Sequence, residues 1–127
     1  MKRLIGIAAA AALATLAGCS SGPSQRCMDF PLERAATILG TATGVTPVAA
    51  GAVKSTEHSK AWYVAIRFTG PGWGADGSVG VWATNDLESG GAVSVDAFAE
   101  AASGIYKDNR FSITDSGAEE ALSCVGA

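Results

Sequence analysis

The stretch Ala61-Trp62-Tyr63-Val64-Ala65-Ile66-Arg67-Phe68-Thr69 is the most regular pattern in the chain and is typical of a β-strand. Successive side chains of a strand point to opposite faces of the sheet, so alternate residues share a face. The large apolar side chains share one face: Trp62, Val64, Ile66 and Phe68. The opposite face holds Tyr63, Arg67 and Thr69. We expect this strand to be central, with its apolar face in the core.

Strand-like segments flank this stretch on both sides. Residues 48–56 precede it, and Glu57-His58-Ser59-Lys60 has the polarity of a hairpin turn. Residues 79–84 follow it, after a glycine-rich segment at 70–77. Strands joined by short connections pair antiparallel, so these segments predict a three-stranded meander. A fourth short strand is one interpretation of residues 106–114.

A first helix is predicted on the N-terminal side of the meander. Four apolar residues there follow the i, i+3, i+4, i+7 spacing of one buried helix face: Leu32, Ala35, Ala36 and Leu39. Asp29 is expected to cap this helix and Gly40 to end it.

Two further helices are predicted after the meander. Ser94 is expected to cap a helix over residues 95–103, which would bury Phe98. Ser116-Gly117-Ala118-Glu119 matches the capping box S-x-x-E, and would open a last helix that runs into Cys124. Helices before and after a meander favour an α+β domain with the helices on one face of the sheet.

The first 22 residues have a different character. Met1-Lys2-Arg3 is basic, and residues 4–17 are 14 consecutive residues without a charge. A membrane-spanning helix needs about 20 apolar residues, so this run fits the apolar region of a secretory signal peptide better. The run ends in Leu16-Ala17-Gly18-Cys19.

This ending resembles the lipobox of bacterial lipoproteins, in which an aliphatic residue and two small residues precede a cysteine. The resemblance covers residues 1–22 and implies that residues 1–18 are a signal peptide that is removed. It also implies that Cys19 carries a diacylglycerol and anchors the exported protein to the outer face of the bacterial cytoplasmic membrane, in the cell envelope. Two or more acyl chains make such an anchor stable. The alternative is a plain secreted protein in which Cys19 carries no lipid.

Residues 19–26 would then be the lipidated cysteine and a short polar tether, and residues 27–127 a single α+β domain. Seven extended residues reach at most about 25 Å, so the domain would sit close to the bilayer. With Cys19 lipidated, Cys27 and Cys124 form an even pair in an exported protein, which favours a disulfide between the two ends of the domain. The alternative is a pair of buried free thiols. The predicted fold is therefore a small antiparallel β-meander of three to four strands packed against two to three short helices.

The charge of the mature domain excludes some partners. The signal peptide holds two of the nine Lys and Arg residues, which leaves seven against twelve Asp and Glu, a net charge of −5. An acidic domain without a basic run argues against binding to nucleic acid, because that affinity comes largely from neutralised phosphates. It also argues against electrostatic binding to an anionic bilayer, so the lipid alone would hold the protein there.

Trp73 is the first candidate for partner binding. It lies in Gly70-Pro71-Gly72-Trp73-Gly74-Ala75-Asp76-Gly77, which lacks the lysine of a phosphate-binding loop. An exposed tryptophan would anchor a protein or a sugar ring, whereas the alternative is that it folds back over the sheet. Tyr63 and Arg67 are the second candidate surface, provided that no helix covers their face of the central strand.

The sequence does not indicate an enzyme. His58 is the only histidine and lies in a predicted exposed turn, with no positioned nucleophile or orienting carboxylate. The chain has no second histidine, no C-x-x-C and no calcium-loop motif, so we expect neither a metal site nor a cofactor. A hydrolase that uses paired carboxylates is the least favoured hypothesis, because nothing selects a pair.

The predicted function is that of a non-catalytic, membrane-anchored binding module. The alanine- and glycine-rich composition resembles that of small lipoproteins from actinobacteria and their phages. Such lipoproteins in phages and prophages block the entry of competing phages, so superinfection exclusion through a membrane-proximal protein partner is one hypothesis. The alternative is an inhibitor of a secreted enzyme, a lysozyme or a protease, that acts through the loop at residues 70–77.

Overall fold

The computed structural model describes residues 26–127, which form one antiparallel sheet and three helices. The predicted signal peptide, the lipobox with Cys19 and all of the tether except Arg26 lie outside the described residues. The strands are β1 (Met28–Asp29), β2 (Thr46–Lys54), β3 (Trp62–Thr69), β4 (Ser78–Thr84) and β5 (Ala92–Ser94). The helices are α1 (Leu32–Leu39), α2 (Ala97–Ser103) and α3 (Ser116–Cys124). The α+β class is confirmed.

The sheet is a meander with the predicted central strand in the middle. Its order is β1-β2-β3-β4-β5, and every pair is antiparallel. The short strands β1 and β5 extend the predicted three on either side. Residues 106–114 do not form a strand; they contribute one isolated bridge, between Lys107 and Ser94.

The predicted core face lies under α1 and α2, as expected. Ile66, Phe68 and Trp82 are fully buried there, and Trp62 is half-buried at the margin of the same cluster. Small alanines of the two helices, including Ala35 and Ala99, bring the helices close to the strands. These residues form the larger part of the core.

The second face of the sheet is also covered, which corrects the expectation of helices on one face. α3 packs across β2 and β3, and Phe111 and Ile113 pack beside it. The reason lies in the strands, whose alternate positions are apolar as well: Val53, Tyr63, Ala65, Val81 and Ala83. A sheet that is apolar on both faces must be covered on both.

Two predicted helix caps are wrong, although the last helix does run from Ser116 to Cys124 as predicted. The N-cap of α1 is Pro31, and Asp29 lies in β1 instead. α3 begins at Ser116 after Asp115, without a side-chain capping bond, so the capping box does not form. The predicted stop is correct, because Gly40 ends α1 with a φ of 69°.

The start of α2 differs by two residues from the prediction. Asp96 caps this helix, and its side chain accepts a hydrogen bond from the Ala99 amide at 2.8 Å. Ser94 is buried in β5, where its hydroxyl donates to the carbonyl of Ile105 at 2.8 Å. The hydroxyl is therefore used to hold the segment after α2 against the sheet.

The disulfide between Cys27 and Cys124 is present, as predicted, with the two Cα atoms 5.8 Å apart. It ties the residue before β1 to the last residue of α3. A Cβ atom added at Gly51 would lie 2.6 Å from Cβ of Cys124, so α3 approaches β2 as closely as a glycine permits. The predicted joining of the domain ends is confirmed.

The two ends of the sheet carry different groups of residues and are named here after Arg26 and Trp73. The Arg26 end holds the last residue of β2, Lys54, and the turns at 55–61 and 85–91. Arg26 itself donates a hydrogen bond to the carbonyl of Lys54. The Trp73 end holds the loop at 70–77, between β3 and β4. With about 3.3 Å per residue, the length of β2 separates the two ends by about 26 Å.

Candidate partner-binding site

Trp73 is held at the tip of the sheet by two successive turns. The Trp73 amide donates to the carbonyl of Gly70 at 3.1 Å, and the Gly77 amide donates to the carbonyl of Gly74 at 3.3 Å. Gly72 and Gly74, with φ of 87° and 83°, supply the left-handed backbone that these turns require. The glycines therefore fix the position of the indole.

The indole lies between a buried and an exposed phenylalanine. Trp73 is half-buried, with its ring centroid 4.9 Å from that of Phe68 in an edge-to-face contact. On its other side, the ring of Phe98 lies at 6.0 Å, also edge-on. Edge-to-face pairs at these distances are favourable. The alternative prediction for Trp73, that it folds back over the sheet, is thus partly correct, because the indole contacts Phe68 of the sheet.

Phe98 is the functional candidate that the sequence analysis missed. It was expected to be buried, but 56% of it is exposed. Because α2 begins after Asp96, the buried positions of the helix are Ala99 and Ala102. The sequence offered one clue to this difference. Asp96 is as good a helix cap as Ser94, so a helix that begins two residues later was equally compatible with the sequence. We call Trp73 and Phe98 together the aromatic pair.

The stretch of sequence that contains the aromatic pair, residues 68–106, is acidic. Residues 68–106 include no lysine or arginine, and three of their five acidic residues lie outside the turn at 85–91: Asp76, Asp96 and Glu100. Asp76 is exposed in the loop itself, whereas Asp96, at the start of α2, lies near the cation of Lys107. A partner surface that is apolar in the centre and basic at the margin would complement this end of the domain.

Tyr63 is not a surface residue, which corrects its role as a binding candidate. It is fully buried under α3, and its hydroxyl donates a hydrogen bond to the Asp115 carboxylate. Burial raises the pKa of Tyr63, and the bond to Asp115 and the charge of that group raise it further. The same hydrogen bond lowers the pKa of Asp115.

Arg67 is half-buried, and its side chain bonds to the C-terminal segment of the same chain. Its guanidinium donates to the carbonyl of Val125, with Nη2 at 3.0 Å. Arg67 and Tyr63 lie on the second face of the sheet, whereas Trp73 packs on Phe68 of the first face. The three predicted candidates therefore do not form one surface.

His58 belongs to a polar cluster at the Arg26 end. Its ring packs on Phe111 with the centroids 4.6 Å apart, and its Nε2 is 3.6 Å from Oδ2 of Asp115. The Ser116 hydroxyl donates to Glu57 at 3.3 Å. Asp115 already accepts from Tyr63 and from the Ser112 amide. Asp115 therefore holds Tyr63 and Ser112 in place, and the Ser116 hydroxyl bonds to the Glu57 carboxylate rather than to the imidazole of His58.

An open cleft of about 230 Å³ lies between the β4–β5 turn and Phe111. Arg110 lines it, but its Nη2 is 2.6 Å from Oδ2 of Asp108. The Arg110 hydrogen bonds lower the pKa of Asp108 to about 2, so the pair stays ionised and its charges cancel. The cleft therefore offers no uncompensated charge for an ionic ligand.

Within residues 26–127, no three His, Cys, Asp or Glu side chains are grouped as a metal site requires. None of the helices in that range has the length and apolarity to cross a bilayer. Comparisons of the chain with protein-family models, with curated proteins and with solved structures give no match.

The Tyr63–Asp115 contact yields a stability prediction. Tyr63→Phe is expected to lower the free energy of unfolding at pH 7 by about 1.5–3 kcal/mol, because the hydroxyl donates to a charged group. The folded-state pKa of Asp115 is lowered, so this contribution is present above the reference pKa of 3.8 and is lost as the pH falls through the folded-state value. Urea unfolding at a series of pH values measures both effects.

Tyr106→Phe is the matched control for this prediction, since Tyr106 is 86% exposed. It should change the unfolding free energy by less than about 0.5 kcal/mol. A Tyr63→Phe effect as small as that of Tyr106→Phe, or one independent of pH, would contradict the role given to the hydrogen bond.

Proposed function

We propose that the protein is an exported, lipid-anchored and non-catalytic binding module of the bacterial envelope, and that the aromatic pair contacts its partner. The observation that carries this proposal is Phe98, an exposed phenylalanine packed edge-on against a tryptophan held by a glycine loop. Rigid aromatic side chains contribute a large share of binding energy in protein interfaces. The lipobox at Leu16-Ala17-Gly18-Cys19 supports the anchor.

The geometry of the loop favours docking over insertion. An inhibitor that blocks a lysozyme or a protease through a loop needs a chain segment that protrudes into a cleft. Here Trp73 packs edge-on against Phe68 and Phe98, so its indole is held against the domain and does not project from the loop. Inhibition of a secreted enzyme therefore remains the second proposal, and exclusion of competing phages through an envelope protein is the first.

Three variants of the full chain test this function in a bacterial host. Phe98→Ala and Trp73→Ala are each expected to weaken capture of the partner from membranes by about 30-fold, the equivalent of about 2 kcal/mol for an interface anchor. Cys19→Ala should release the protein from the membrane fraction and abolish protection against phage infection. Pull-down, fractionation and plaque counts are the measurements.

Tyr106→Ala is the matched control, because it removes an exposed aromatic residue outside the aromatic pair. It should leave capture and protection at the wild-type level. Each variant is first checked by thermal unfolding, and Phe98→Ala should stay within about 1 kcal/mol of the wild type since its side chain is mostly exposed. Equal capture by the wild type and both aromatic-pair variants would remove the pair as the contact.

A further inference from the structure

The chain that leads to the lipid leaves the domain at the end opposite to the aromatic pair. β1 is antiparallel to β2, with Met28 beside Ala52 and Asp29 beside Gly51. The chain before Met28 therefore runs toward Lys54, whose carbonyl accepts a hydrogen bond from Arg26. The loop with Trp73 follows Thr69, which pairs with Thr46 at the other end of β2.

The lengths limit how the domain can stand on a bilayer. The two ends of the sheet are separated by about 26 Å, the rise of β2. Residues 20–26 reach at most about 25 Å when fully extended. The aromatic pair packs through Trp73 on Phe68, about 20 Å along β3 from Trp62, so it could meet the bilayer only if most of the tether ran along the side of the domain. Every shorter path leaves the Arg26 end nearer to the lipid.

The side chains at the Arg26 end suit a membrane surface better than those at the Trp73 end. Five of the seven basic residues of the mature chain lie there: Arg26, Arg34, Lys54, Lys60 and Arg110. They are interleaved with acidic residues, so this end is mixed in charge rather than positive. Trp62 is half-buried there under the ammonium of Lys54, with the nitrogen 5.0 Å from the ring centroid. Tryptophan and lysine are both common at headgroup level.

We infer that the domain stands on the bilayer with its Arg26 end down, and that the aromatic pair faces away from the membrane. This inference rests on the proposed lipid anchor at Cys19. The partner is then a protein surface that stands clear of the bilayer, on an extracytoplasmic domain or on a protein that arrives from outside. Its contact is apolar in the centre and basic at the margin, to match Phe98 and Asp76. In this orientation the pair contacts neither transmembrane segments nor headgroups.

Energy transfer from tryptophan to dansyl-labelled lipid headgroups tests the orientation. The lipidated full chain is placed in vesicles as two variants, Trp73→Phe, which keeps Trp62, and Trp62→Phe, which keeps Trp73. Both keep Trp82, which is fully buried and gives a common background. Transfer should be at least about twofold greater in Trp73→Phe, because Trp73 packs on Phe68, which lies about 20 Å along β3 from Trp62. Equal transfer, or greater transfer in Trp62→Phe, would overturn the inference.

Hydrogen exchange of the lipidated chain gives a second readout that leaves all three tryptophans in place. Vesicle binding should protect the turns at 56–60 and 85–91, relative to the unlipidated Cys19→Ala chain, and leave residues 70–77 unchanged. Protection of 70–77 without protection of the turns would contradict the orientation.

Charge reversal tests the kind of partner. Asp76→Lys should weaken capture of the partner several-fold, whereas Glu88→Lys, an exposed matched control at the Arg26 end, should not. Equal effects of the two changes would remove the basic margin from the inference.

The orientation and the proposed function can fail separately. If energy transfer places Trp73 away from the lipid while both aromatic-pair variants still capture the partner, the orientation stands and the contact site fails. If transfer places Trp73 at the lipid while those variants lose the partner, the contact site stands and the orientation fails.

Discussion

Replacement of both Cys27 and Cys124 by serine is expected to lower the free energy of unfolding by about 3–5 kcal/mol. The bond closes a loop with a sequence separation of 97 residues, and a long loop restricts the unfolded chain most. A small domain has about 5–15 kcal/mol in total, so the variant loses a large share of its stability. Urea unfolding of the oxidised wild type and of the double variant measures the difference.

The reduced wild type is the control for this prediction. Addition of a thiol reductant should move the unfolding midpoint of the wild type to that of the Cys27→Ser, Cys124→Ser variant and leave the variant itself unchanged. If the double variant unfolds at the same urea concentration as the oxidised wild type, the bond does not carry the stability assigned to it.

Trp82→Ala is expected to lower the free energy of unfolding by about 3–5 kcal/mol, the range for removal of a large aromatic side chain from a core. Trp82 is fully buried, and its ring centroid lies 6.5 Å from that of Phe68. Its indole nitrogen donates to the Ser103 hydroxyl at 3.1 Å. The substitution thus removes packing under α2 and a hydrogen bond to the last residue of that helix. Thermal or urea unfolding measures the loss.

Val81→Ala is the matched comparison, because Val81 is fully buried on the other face of the same strand. It removes fewer atoms and no hydrogen bond, so its loss should be clearly smaller. A Trp82→Ala loss no greater than that of Val81→Ala would show that α2 does not depend on the indole. Partner capture by Trp82→Ala should also fall, since α2 carries Phe98.

The parts of the fold that the sequence predicted are those with strong periodicity. β3 alternates large apolar residues over its whole length, and its position at the centre of the sheet follows from that pattern. β1 has two residues, too few for any period, so its pairing could not be predicted. The cover on the second face was missed because Tyr63 and Arg67 look polar beside Trp62 and Ile66. In the fold, Tyr63 is buried through its bond to Asp115, which is distant in sequence.

Of the two residues of the aromatic pair, the sequence predicted Trp73 and did not predict Phe98. Trp73 was found because a tryptophan between glycines is unusual, and its loop lies where the meander places it. Phe98 was missed because Ser94 and Asp96 are both good helix caps, and the choice between them decides which helix residues are buried. That choice depends on Ile105, whose carbonyl takes the Ser94 hydroxyl. This hydrogen bond joins the residues on either side of α2, which are only 11 apart, and it leaves Asp96 as the cap of the helix that exposes Phe98.

If Cys19 carries the proposed lipid, the short strand β1 and the disulfide next to it decide how the domain bears tension from that anchor. β1 pairs with β2 through two residues only, so a pull on the preceding chain would peel it from the sheet edge. The Cys27–Cys124 bond instead transmits the force to α3, which packs on β2 and β3 on the second face of the sheet. A force applied through the lipid would therefore act on the middle of the sheet, and β1 would not be pulled away from its edge.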